Sequence, residues 1–476
     1  MSETRAAWAE LLAVLAEAGE RFAGEEWMVA GDRDVAEAHR TIAHILQSGL
    51  VSHAEFDAER PVWRRIVTPT RKFSGDNGDC VYFEAPIRGD RTYRVSGNLA
   101  GAVYTAFTVE VGGSDGAYTE RTGGVLNDTQ FDIAADGSYE IFVGGEPRQR
   151  NWLGLSADAG RLISRHYFEE VSPAAAEAHV PLAISNLEPP DGPPPPWDDA
   201  GVAASIGRVT THVRSKTIDG PSPTKRPAPP DWVGQTPNEF PVPQAPGDFA
   251  LSAADAHYSL GRWLLGPDEA LVVTGRWPEC RFASASAWNR FQQTLDYVNR
   301  PVSRNRATTT LEADGSFRMV VAHADPGVPN WIDTEGHPFG TLFFRFFLPE
   351  GVVEPLVAEV VPFDQLRTRT CPGQGRRVMA RPGLPKPRGP GLLRVPLCGD
   401  DLWIWMAMAR PVAVSRSGGR GCGVGLDGRP QRPGRGLSGA ARPLRGTRRR
   451  PGCDGCRREV GLPAPGPPAP PGRQRR

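Results

Sequence analysis

Cysteine is scarce along most of this chain. Of seven in 476 residues, only Cys80 and Cys280 precede residue 370. Two thiols so far apart make no disulfide framework, and the expected compartment is a reducing one, the cytoplasm. Long apolar runs are also missing. Nothing approaches the roughly 18 consecutive apolar residues that cross a bilayer, so no membrane insertion is expected. The first residues lack a basic start, and Glu10 and Glu17 interrupt the Ala/Leu run, so they do not read as an export signal.

Familiar catalytic signatures are absent as well: there is no Walker loop, no GxSxG elbow and no HExxH pair. The run Gly421-x-Gly423-x-Gly425 follows no strand pattern and opens no helix, so it is not a dinucleotide fingerprint. Cys453-x2-Cys456 is half of a zinc spacing with no partners beyond an Arg/Gly/Pro tract. No cofactor and no metal are implied.

Charge is present, in two opposed halves. Residues 1–370 carry 33 Lys+Arg against 50 Asp+Glu, and residues 371–476 carry 22 against 5, so the formal zero is a cancellation. An acidic body does not attract phosphate backbones, which excludes nucleic acid as its partner. The tail holds 21 Arg, 21 Gly and 17 Pro with a single lysine, Lys386. That composition buries too little surface to offset chain entropy and predicts a disordered basic segment. It is also what a GC-rich gene gives when read out of frame, and a frameshift near Arg369 is the expectation.

Two periodicities divide the body. Trp8, Leu11, Leu12, Leu15, Ala18 and Phe22 fall on one helical face, as do Val35, Ile42, Ile45 and Leu46, which predicts a helical hairpin turning at Gly31-Asp32. From Val81 the period becomes two, through Tyr93, Val95, Phe131, Ile133, Tyr139, Ile141 and Val143. This predicts antiparallel sheet. Four prolines at 193–196 mark a stiff spacer, Val202, Ile206, Val209 and Val213 predict a helix, and Pro221–Pro246 reads as a surface wrap. Strand patterning resumes at Leu271.

The second strand-rich stretch repeats the first. Val95-Ser96-Gly97 matches Val273-Thr274-Gly275, and Ala135-Asp136-Gly137-Ser138-Tyr139 matches Ala313-Asp314-Gly315-Ser316-Phe317, both at an offset of 178. Asn127 meets Asn305 at the same offset, Asn151-Trp152 meets Asn330-Trp331 one residue later, and Arg165 meets Arg345 two later. Two copies of one β unit follow. Asp136-Gly137 and Asp314-Gly315 predict two-residue type I′ hairpins. Gly97 and Gly275 mark places where a side chain would obstruct the strand.

The second copy resembles the bacterial domain-of-unknown-function 1214 family. The resemblance rests on Arg276-Trp277-Pro278, Trp288-Asn289-Arg290, Leu295-Asp296-Tyr297, Val302-Ser303-Arg304-Asn305-Arg306 and Asp325-Pro326-Gly327-Val328-Pro329-Asn330-Trp331. The first copy, through Leu126-Asn127-Asp128-Thr129 and Arg165-His166-Tyr167-Phe168, looks like the half that precedes this domain in long members. The likeness spans roughly residues 60–365 and implies a β-sandwich or jelly-roll fold. It brings no settled reaction.

The fold expectation is mainly β (α+β). A helical hairpin covers 1–58, a first sandwich 59–187, a Pro-rich and helical connector 188–250, a second sandwich 251–367, and the tail 368–476. The expected function is binding of a polar or anionic small molecule in a cleft between the repeats. Arg forks beside aromatics suit carboxylates and phosphates, and the residues named for this are Asn289, Arg290, Asn305, Arg306, Trp331 and Arg345, with Arg304, Trp288 and Tyr297 nearby. The competing reading pairs these arginines with acids such as Asp296 and Asp333.

A hydrolase built on Asp128 and His166 is the alternative, with Asp132 as a second carboxylate and Arg161 and Arg165 beside them. A non-catalytic interaction protein is the other. Asp76, Asn77 and Asp79 read as a solvated turn lacking the further acids of a calcium loop. His166–Glu169 and His323–Asp325 are the candidate proton-transfer pairs.

Overall fold

The computed structural model describes residues 2–247 and 251–366, and the expected basic tail lies outside them. Helices α1 (Glu3–Arg21) and α2 (Gly31–His53) open the chain. The buried stripe of α1 is Leu11, Val14 and Ala18, followed by Phe22, while Trp8 and Leu12 are each 53% exposed. The expected face was therefore rotated, and it included two residues that look outward. Gly31 begins α2 with φ +77°, so the connection runs through residues 22–30 and Gly31-Asp32 belongs to the helix.

The first sandwich follows. Its strands are β1 (Arg64–Arg65), β2 (Cys80–Pro86), β3 (Tyr93–Asn98), β4 (Tyr104–Val111), β5 (Arg121–Asn127), β6 (Ser138–Val143), β7 (Trp152–Leu153), β8 (Ala159–Tyr167) and β9 (Leu182–Asn186), with a one-turn helix α3 (Ala174–Glu177) before β9. They form an inner sheet β1-β2-β8-β4-β5 and an outer sheet β7-β6-β3-β9. Helix α4 (Asp199–Thr217) then packs against both α1 and α2. Val213 joins Val14, Ala18 and Ile42 in one apolar cluster. The helical part is thus a three-helix layer completed from the connector.

The second sandwich comprises β10 (Ala256–Leu264), β11 (Glu269–Gly275), β12 (Phe282–Trp288), β13 (Ser303–Asn305), β14 (Phe317–Ala322), β15 (Trp331–Asp333), β16 (Phe339–Phe347) and β17 (Val357–Pro362). Its sheets are ordered β10-β16-β12-β13 and β15-β14-β11-β17. Each strand thus has a counterpart at the same place in the first sandwich, β2 for β10 through β9 for β17. The Pro-rich segment runs beside β10, with bridges Val233–Leu260 and Gln244–Tyr258.

The duplication extends to single atoms. Asn151 and Asn330 both sit in the left-handed region, at φ +58° and +57°. Asn151 Oδ1 accepts the Asp132 N–H and Asn330 Oδ1 accepts the Thr310 N–H. Trp152 Nε1 donates to Gly144 O, and Trp331 Nε1 to Ala322 O. At both hairpin tips an Asp Oδ1 accepts from the Ser two residues on, with N–H at 3.0 Å and hydroxyl at 2.6 Å. Only the glycines of these tips, Gly137 and Gly315, have positive φ. The expected type I′ turn needs two such residues, so each tip is instead the longer form in which a turn ends on one left-handed glycine.

Strand alternation builds four layers. Phe107, Val109 and Leu162 of the first inner sheet meet Val95, Tyr139 and Ile141 of its outer sheet. Ala285, Leu342 and Phe344 meet Val273, Phe317 and Met319 in the second sandwich. The two inner sheets pack on each other through Tyr82, Tyr104, Tyr167, Tyr258, Phe282, Trp288, Phe343 and Phe347. This last interface is a seam rather than an oily core, because it also buries charge.

Candidate functional site

The seam is organised by β8 and β16, the strands flanked on both sides within the inner sheets. On β8, Leu162 faces the sandwich interior, so Arg161, Ile163, Arg165 and Tyr167 face the seam. On β16, Phe344 and Phe346 face inward, and Thr341, Phe343, Arg345 and Phe347 face the seam. Arg165 and Arg345 therefore enter the same interface from opposite sheets, each with a tyrosine beside it in register, Tyr82 for Arg165 and Tyr258 for Arg345. Both arginines are buried, at 4% and 3% exposure.

Their partners differ. Arg165 lies 3.9 Å from Glu110 Oε1, donates to the Thr108 hydroxyl, and donates to Leu251 O at 2.9 Å. Arg345 has no carboxylate within ion-pair distance among the described residues. Its Nη2 donates to Gly75 O at 2.8 Å and to Asp76 O at 3.4 Å, and its Nη1 is buried without a hydrogen-bond partner. The guanidinium sits 4.1 Å over the Phe343 ring and 5.0 Å over Trp288. Burial, opposed in part by the Arg345 charge, pushes the Tyr82, Tyr167 and Tyr258 phenols upward, so they are neutral donors.

Residues 72–79 of the first sandwich plug this seam. Asp76, Asn77 and Asp79 are between 0% and 3% exposed, so the expected solvated turn is a buried tie between the sandwiches. Asp76 accepts the Thr294 N–H at 2.8 Å and its hydroxyl at 2.6 Å, and Asn77 bonds Ser284 and Ser286. Lys72 Nζ donates to Thr294 and Leu295 and lies 3.6 Å over the Tyr297 ring. Burial pushes Asp79 up to about 7, with the Asn305 side chain pulling the other way. Among the described residues no group of three or more metal-ligating side chains is assembled.

The six residues expected to line one cleft are not brought together. Arg290 reaches the helical layer, pairing with Asp34 and donating to Trp27 O and Met28 O. Arg306 pairs with Glu169 at 2.6 Å and donates to Cys280 O. Asn305 closes a capping box with Thr308, and Asn289 Oδ1 accepts N–H groups from Phe291 and Gln293. Trp331 is held on the outer sheet, where Arg304 donates to its carbonyl. Of the six, Arg345 enters between the inner sheets, and Asn305 reaches the plug through Asp79. Two surface hollows, of about 760 and 700 Å³, are lined by other residues.

Asp128 and His166 are also apart chemically. Asp128 Oδ2 accepts the Thr105 N–H at 3.0 Å and pairs with Arg281 at 3.0 Å, while burial raises its pKa. His166 is fully buried, contacts the hydroxyls of Thr105 and Ser164, and is pushed down to about 3 by burial. No hydrogen bond joins the two. Asp132 pairs with Arg150 at the surface, and His323 bonds Thr334 rather than Asp325. The carboxylate that neighbours Asp128 is Asp255, from the other half of the chain, which accepts from Tyr104 and Asn127. Sequence spacing held no signal for that pairing.

No protein-family model matches the sequence, and no curated protein matches it. The chain is similar in structure to an uncharacterised protein from Burkholderia cenocepacia, at 27% identity and a TM-score of 0.64, covering 75% of this chain and 97% of that one. A Vibrio parahaemolyticus protein matches at 12% identity and a TM-score of 0.39, covering 68% of this chain and 96% of that one.

Proposed function

We propose that this protein binds a small carboxylate in the seam between its sandwiches, with Arg345 supplying the charge. One observation carries the reading: Arg345 keeps a buried Nη1 without an acceptor, in a box of Phe343 and Trp288, while its repeat counterpart Arg165 has Glu110. A buried donor left unmade costs about 1–3 kcal/mol, and a ligand carboxylate recovers it through a charge-assisted bond. The rings supply an apolar wall and favour the cation they face.

In this reading each sandwich is a jelly roll, and the chain is a long member of the domain-of-unknown-function 1214 family acting in the cytoplasm. The motifs quoted above support the family assignment. The free thiols Cys80 and Cys280 fit a reducing compartment.

Melting curves against a panel of mono- and dicarboxylates, phosphate esters and sugars test the binding. At least one carboxylate should raise the melting temperature, and Arg345→Met should abolish that shift while retaining a cooperative transition. A panel in which no carboxylate acts, or a shift that survives Arg345→Met, removes the proposal.

A further inference from the structure

We infer that the protein has a second anion site, for a phosphate-class oxyanion, where α2 and α4 cover the Arg161 end of the first inner sheet. It is independent of the carboxylate reading, because it uses none of the residues around Arg345. Arg161, His53 and His212 are 4%, 0% and 1% exposed. Arg161 Nε is a buried donor without a partner, and neither ring nitrogen of His53 has one, so the neutral His53 ring offers one free N–H. The two imidazoles are 5.0 Å apart; the Ser48 hydroxyl donates to Ile45 O and accepts from His212 Nε2–H at 2.7 Å, so His212 Nδ1 carries a lone pair and the donors to the site are Arg161, His53 and Lys216. Lys216, half-buried on α4, points the same way, its Nζ 4.2 Å over the Tyr118 ring and 5.1 Å over Phe73.

Positive charge converges here from three elements. Arg161 comes from β8, Lys216 and Arg208 from α4, and Arg64 from β1, all near enough to act on His53. Burial first, and then those cations, push His53 down to about 3, so it stays a neutral donor. Two buried acids flank Arg161: Glu84, 3.5 Å away, and Glu110, its register partner on β4. Arg161 in turn pulls Glu110 down against its burial, and Glu84, Glu55 and Asp57 act on Arg64. Gly113 leaves the room Arg161 occupies, since a Cβ there would lie 2.9 Å from Nη2.

Donors converging from three elements suit a tetrahedral anion with several acceptor oxygens better than a planar carboxylate. Arg208 donates to His53 O, and Arg64 donates to Ser52 O and Glu55 O, which holds both cations around the end of α2. Such a site takes inorganic phosphate or the phosphate group of a monoester. The shared chemistry is the oxyanion.

Isothermal titration of the full chain with inorganic phosphate and, separately, with glycerol phosphate tests this. At least one of the two should bind saturably. Lys216→Met should weaken that binding tenfold or more, Glu84→Gln should tighten it, and Arg345→Met should leave it unchanged. Melting transitions check that each variant folds. Tighter binding of the monoester would identify the esterified group as the source, and equal or tighter binding of free phosphate would identify the ion. No saturable binding of either, or dissociation constants untouched by both Lys216→Met and Glu84→Gln, overturns the inference.

Discussion

Trp288 occupies in the second sandwich the position that Glu110 occupies in the first. The register fixes the equivalence: Ala106 faces Arg165 across β4 and β8, and Ser284 faces Arg345 across β12 and β16, so four residues further along the strands come Glu110 and Trp288. One copy of the module therefore answers its buried guanidinium with a carboxylate and the other with an aromatic ring. The backbone frame is the same, and the electrostatics are not.

The Glu110 half of that relationship makes a pH prediction. Its side chain is fully buried, and burial raises its pKa to about 7 against the pull of Arg165, the Leu251 N–H and Arg161. A carboxyl raised in the folded state stabilises fully below its unfolded value near 4.5, and that stability is lost as pH rises through about 7. The span corresponds to roughly 3 kcal/mol at about 1.4 kcal/mol per unit. Urea unfolding of wild type and Glu110→Gln from pH 5 to 8 should show the wild type losing ground to the variant as pH rises. A difference that stays flat or grows would contradict the assignment.

The two duplicated glycines make a second prediction. Gly97 lies opposite Tyr139, and Gly275 opposite Phe317, across equivalent strand pairs. A Cβ at Gly97 would fall 2.4–2.6 Å from the end of the Tyr139 ring, and one at Gly275 would fall 2.8 Å from the Phe317 ring. Both rings are buried, so neither swings aside freely. Gly97→Ala and Gly275→Ala should each cost about 1–3 kcal/mol. Gly207→Ala is the control: it meets nothing within 4 Å on α4 and should gain roughly 0.5–1 kcal/mol. Denaturant midpoints measure all three, and a neutral Gly97→Ala would show that the ring is not what excludes the side chain.

Those glycines show what was legible in the sequence. Strand alternation, the offset of 178 and the repeated Asn-Trp pair are local properties, written in residues a few positions apart, so the two-sandwich fold and the Arg165–Arg345 equivalence could be read. The helical face could not be read correctly, because Trp8 and Val14 are both apolar and α4, nearly 200 residues later, decides which is covered. The seam partners were illegible for the same reason. Arg290 finds Asp34, Asp128 finds Asp255 and Asp76 finds Thr294 only after the layers stack. Spacing carries no information about which charge a buried charge will meet.

His166 gives the third prediction, with the opposite sign to Glu110. The ring is fully buried between Phe83 and Phe107, 6.2 and 6.3 Å from them, and burial pushes it down to about 3. A histidine depressed in the folded state stabilises above its unfolded value near 6.5, and that stability is lost as pH falls towards the folded value. Between pH 6.5 and 5 this one group should account for about 2 kcal/mol at about 1.4 kcal/mol per unit. His53, pushed down to about 3, and His44, pushed down to about 4, act in the same direction, whereas the raised Glu110 and Asp79 oppose them. The slope of the wild type alone is therefore a sum, and a variant is needed to isolate the ring. His166→Gln keeps a donor and an acceptor for Thr105 and Ser164 without a titrating group. It should be less stable than wild type at pH 7.5, because the aromatic contacts are lost, and the gap should shrink by about 2 kcal/mol on going to pH 5. A gap independent of pH would mean that His166 is reached by water in the folded protein, and would reopen it as a proton-transfer candidate.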